Sequence, residues 1–121
     1  MANTVIPTEI TLHQQSNSLE LAYDDHRYHL TAEYLRVYSP SAEVKGHGRG
    51  QEVLQTHKEN VRISQLEPVG HYALKIHFDD GHNTGLFSWD YLYLLATEQT
   101  ARWEDYLARL KQAGYQRQIN A

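Results

Sequence analysis

The chain has 121 residues, 40% of them hydrophobic and 21% charged, with a formal net charge of -4 and no cysteine. Such a length and composition suit one globular domain, and an acidic balance with scattered Lys and Arg does not suit a surface that neutralises phosphates. Without cysteine the chain cannot supply disulfides, a thiolate nucleophile, cysteine ligands for zinc or iron-sulfur ligation.

No stretch approaches the run of about 18 apolar residues that a membrane helix needs, and Met1 to Thr11 lacks the basic start and apolar core of a secretory signal. The expectation is a cytoplasmic protein with no nucleic-acid or membrane partner and no cofactor.

Ile10 and Leu12, then Leu19, Leu21 and Tyr23, then Tyr28 and Leu30 alternate with polar neighbours, the period of half-buried strands. Asp24-Asp25-His26 supplies a turn between the second and third. Thr31 is placed to cap a short helix over Ala32 to Val37, which Pro40 ends by restricting the residue before it. Gly46-His47-Gly48-Arg49-Gly50 reads as a surface loop.

A strand starting at Val61 and Ile63 runs to Pro68, and Tyr72, Leu74, Ile76 and Phe78 mark a central strand. Asp79-Asp80-Gly81-His82 contains the Asp-Gly pair of tight hairpins, with Thr84 to Phe87 returning as the partner. Ser88 caps the next segment, in which Leu92, Leu95, Gln99, Trp103, Tyr106, Leu107 and Leu110 recur at helical spacing. A break is expected near Thr97 and a C-cap at Gly114. These elements predict an α+β domain over residues 7–113, with flexible ends at 1–6 and 114–121. Its architecture is a small antiparallel sheet, a short helix after the first strands, and C-terminal amphipathic helices packed on one face.

Several residues imitate catalytic motifs. His77-Phe78-Asp79 spells His-x-Asp, the start of a facial iron triad, yet the chain lacks the strands for a complete jelly-roll barrel, and an exposed strand running into a turn explains it. The glycine-rich segment lacks the Gly-Lys-Ser/Thr ending of a phosphate loop. His47, His71, His77 and His82 fall in or beside loops but form no His-x-x-x-His pair, and Asp24/Asp25 and Asp79/Asp80 suit turns. No serine, lysine or tyrosine stands out as a nucleophile.

Leu35-Arg36-Val37-Tyr38-Ser39-Pro40-Ser41-Ala42-Glu43-Val44, Glu67-Pro68-Val69-Gly70, and the run from Phe78 to Leu92 together resemble the gamma-butyrobetaine hydroxylase-like N-terminal domain family over roughly residues 7–113. In the full-length oxygenases, the resemblance implies, this domain holds a structural zinc through three cysteines and a later histidine. Here the cysteine positions become Ser39, Ser41 and Val44, and only the histidine remains, as His82. No catalytic residue carries over, because those belong to the other domain. Related domains at the end of Mrp-type iron-sulfur scaffold ATPases imply an accessory role.

The leading expectation is therefore a non-enzymatic module that contacts a protein partner. Its surface would comprise Arg36, Ser39, Ser41, Glu43, His47, Arg49 and Gln51, together with Asp79, Asp80 and His82 from the later turn. The alternatives are an iron or zinc protein using His82, and a subunit completing an oxygenase in trans. Ser39, Ser41 and Val44 are expected to face His82 within about 8 Å, the span of a relaxed tetrahedral site. Trp103 and Leu107 are expected on the buried stripe of the last helix.

Overall fold

A computed structural model describes residues 5–41 and 54–118. Three antiparallel strands come first, β1 (Glu9–His13), β2 (Ser18–Ala22) and β3 (Arg27–Thr31), in spatial order β1-β2-β3. Alternation sends Leu19, Leu21 and Leu30 into the core, while Glu20 and His29, which are cross-strand partners, share the opposite face. The helix α1 (Ala32–Val37) follows directly, with the Thr31 hydroxyl accepting from the Tyr34 amide at 3.1 Å.

The second half builds β4 (Ile63–Val69), β5 (Ala73–Phe78) and β6 (Leu86–Ser88), again antiparallel and in that order, with β5 central as its alternation predicts. Two helices close the chain, α2 (Trp89–Thr97), capped by Ser88, and α3 (Gln99–Gln112). The break near Thr97 is present.

The α+β class holds, but the single sheet expected from the sequence is two three-stranded sheets. Strand periodicity reports which side is buried and carries no information on which strands pair. The sheets share one core, in which Leu19, Leu21 and Leu30 cluster with Ile63, Leu74, Ile76, Phe78 and Phe87, and with Leu92 and Leu95 of α2. Asn17 ties them together: its side-chain amide donates to the Val61 carbonyl at 2.7 Å, and its backbone carbonyl accepts from Ala32 at 3.0 Å.

The buried stripe of α3 differs from expectation at one position. Tyr106 and Leu110 are buried with Val37, and Trp103 is half-buried, but Leu107 is 37% exposed because it lies at the rim of that stripe. Tyr72, too, lies just before β5 and is exposed.

Residues 114–118, expected as a loose end, are tied to the body. Gly114 is left-handed (φ 77°), its amide donates to the Lys111 carbonyl, and the Tyr115 amide reaches the Leu110 carbonyl at 2.9 Å, the pattern of a Schellman cap. The returning chain places Tyr115 against the small α3 cluster, its hydroxyl on Glu59, and pairs Arg117 with the buried Glu33. Among the described residues no helix is long and apolar enough to cross a membrane.

Candidate functional site: a sealed serine-histidine corner

The end of α1 meets the turn after β5. Ser39 Oγ lies 2.9 Å from His82 Nε2 and Ser41 Oγ lies 3.3 Å from the same nitrogen, so residues about 40 positions apart share one imidazole. The structure thus joins Ser39, Ser41 and His82 as expected, whereas Val44 lies outside the described residues. So do Glu43, His47, Arg49, Gln51 and the glycine-rich segment.

Asp80 organises the turn. One carboxylate oxygen accepts from the His82 backbone amide at 3.1 Å, and the other accepts from Arg36 Nε at 2.9 Å and Lys58 Nζ at 3.2 Å. Arg36 also donates to Gln55 at 3.1 Å. Burial works to raise the Asp80 pKa, but the His82 amide and the two cations outweigh it and hold the carboxyl below its ordinary range. Phe78 N donates to the His82 carbonyl and Gly81 N to the Phe78 carbonyl, with Gly81 at φ 88°, a conformation glycine adopts without strain.

Four residues expected on an interaction surface are interior: Arg36, Ser39, Ser41 and His82 are each at most 6% exposed. The physical reason is pairing, since an arginine enters the interior when its guanidinium finds a carboxylate and an amide oxygen. Asp79 and Asp80 remain at the surface. Asp79 is committed locally, its amide donating to the Arg62 carbonyl and its carboxylate accepting from the Arg62 amide.

A serine, a histidine and an aspartate in one corner invite comparison with a nucleophilic triad, but the geometry differs in two respects. Asp80 contacts the His82 main chain rather than orienting the ring, and Ser39 is only 1% exposed, beneath Gly85, where a Cβ atom would sit 2.2 Å from Ser39 Oγ. A substrate carbonyl has no approach to that hydroxyl. The two residues of the His-x-Asp pair have separate partners, His77 pairing with Glu67 at 3.0 Å and the Asp79 carboxylate accepting from the Arg62 amide.

Comparison with known proteins decides the relationship. The pattern described as "Gamma-butyrobetaine hydroxylase-like, N-terminal" matches residues 10–93. The chain belongs to that family.

Two NMR solution structures are similar over nearly the whole chain. One is 53% identical, with 98% of this chain and 94% of the other covered and a TM-score of 0.85. The second is 49% identical, with 100% and 91% covered and a TM-score of 0.82. A crystal structure of a protein of unknown function from Acidithiobacillus ferrooxidans, of the DUF971 family, is 38% identical at a TM-score of 0.65, covering 79% of this chain and 98% of that one. No curated protein matches the chain.

The structural zinc that the family resemblance implies does not fit this corner. The residues present in place of the three cysteines include two neutral serine hydroxyls, which are poor ligands where thiolates would be needed.

The sequence reading passed over one further cluster, His13, Glu20 and His29 on the outer face of the first sheet. Alternation marks Glu20, between Leu19 and Leu21, and His29, between Tyr28 and Leu30, as outward positions, but only the pairing of the strands brings them together with His13.

Proposed function

We propose that this domain is a non-catalytic accessory module of the cytoplasm that presents the rigid turn from Asp79 to Gly85 to a protein partner. The observation that carries this reading is the Asp80 clamp. One carboxylate holds the His82 amide, Arg36 and Lys58, so the turn is fixed from within while Asp79, Gly81, Asn83 and Thr84 stay exposed. A surface ordered in advance loses less entropy on association.

The sealed Ser39–His82 pair supports the same reading, since a buried hydroxyl bonded to a buried ring serves the fold and cannot meet a substrate. The family's name links the domain to hydroxylases, and an oxygenase is the partner class that this kinship favours.

The test is crosslinking in extract of the native cell with wild type, with Asn83→Arg/Thr84→Arg, and with Leu107→Arg as a control on the exposed rim of α3. A specific partner captured by wild type and the control, and lost from the turn variant, supports the proposal. Identical capture by all three refutes the assignment of the turn.

A further inference from the structure

The outer face of the first sheet gathers metal-ligating side chains. Glu20 is the cross-strand partner of His29 on one side and of Thr11 on the other, and His13, two residues beyond Thr11, projects to the same face. The two imidazoles therefore flank one carboxylate across the middle strand. His13 Nε2 lies 2.7 Å from Glu20 Oε1, His29 Nε2 lies 3.9 Å from the same oxygen, and the three ligand atoms all lie within 4.8 Å of one another.

We propose that His13, Glu20 and His29 form a binding site for a late first-row divalent cation, with Zn2+ as the occupant. Imidazole nitrogen and carboxylate oxygen are suitable donors for Zn2+, and bonds of about 2.0–2.2 Å place tetrahedral ligand atoms about 3.3 Å apart. Reaching that spacing opens the His13–Glu20 contact from 2.7 Å and draws the His29 ring in from 3.9 Å, movements open to imidazoles that are 39% and 59% exposed.

The carboxylate is already positioned. Arg27 Nη1 holds Glu20 Oε2 at 2.5 Å, leaving Oε1 turned to both histidines, and an outer partner of this kind fixes the orientation of a ligand. Glu20 is only 12% exposed while His13 is 39% exposed, so the anionic ligand is sheltered and the cation can still enter. Three protein ligands leave a fourth position for water or for a group from another molecule. The site lies on the opposite face of the sheet from the core and uses neither Ser39 nor His82.

The test uses untagged full-length protein and isothermal titration with ZnCl2, repeated with Co2+ to read the visible bands of a four-coordinate ion. Wild type should bind one ion, and His13→Ala, His29→Ala and Glu20→Gln should each weaken binding at least tenfold, with His77→Ala unchanged as a control. Imidazole nitrogen resonances of wild type should shift on titration at His13 and His29, a readout that stands even where a variant loses its fold. No binding by wild type, unchanged affinity in both His13→Ala and His29→Ala, or shifts confined to other histidines would overturn the proposal.

Discussion

Replacing Gly85 by alanine tests the corner directly. The added methyl would meet Ser39 Oγ at 2.2 Å, with Pro40 Cδ at 3.2 Å and Ser39 Cβ at 3.5 Å. Only the first contact is prohibitive, and Ser39 can relieve it by rotating its hydroxyl away, which breaks the 2.9 Å bond to His82. Loss of that buried bond costs about 1–3 kcal/mol. Residual overpacking adds about 1–3 kcal/mol, and the stiffer unfolded chain returns about 0.4–1 kcal/mol. The expected net loss for Gly85→Ala is about 1–5 kcal/mol.

Ser39→Ala alone removes one hydroxyl and leaves Ser41 on His82, a loss of about 1–2 kcal/mol. In the double variant the clashing oxygen is gone, so its stability should match that of Ser39→Ala and fall well short of the additive sum. Urea unfolding followed by the fluorescence of Trp89 and Trp103 measures all four proteins. A Gly85→Ala variant within about 0.5 kcal/mol of wild type, or a double variant equal to the sum, would refute the packing argument.

Leu110→Ala should cost about 2–5 kcal/mol because the side chain is 2% exposed. Leu107→Ala, at the rim, should cost under about 1 kcal/mol in the same assay. Asp80 predicts a pH dependence: its native pKa lies below the ordinary 3.8, so the clamp's contribution is present above that value and is lost as pH falls through the native value. Unfolding measured between about pH 2 and pH 6 should show a shallower acid loss for Asp80→Asn than for wild type, and identical slopes would remove Asp80 from the account.

What the sequence determined by itself was local. The alternation at Leu19, Leu21 and Leu30, the caps at Thr31 and Ser88, the break near Thr97 and the glycine stop at Gly114 all appear in the structure, because strand period, capping and left-handed backbone depend on a few neighbouring residues. The nearness of Ser39 and Ser41 to His82 was also legible, through family resemblance, although the residues are 43 and 41 positions apart.

Tertiary structure alone decided the rest. Arg36 and Asp80 are 44 residues apart, and no local rule says that a helical arginine will be buried by such a partner. Leu107 and Leu110 have the same hydrophobic character, yet Leu110 packs with Val37 of α1 while Leu107 is left at the rim. The separation into two sheets and the meeting of His13, Glu20 and His29 follow from hydrogen-bond register between strands. Register is a property of pairs of segments, fixed only when the core closes, and a single strand's periodicity does not contain it.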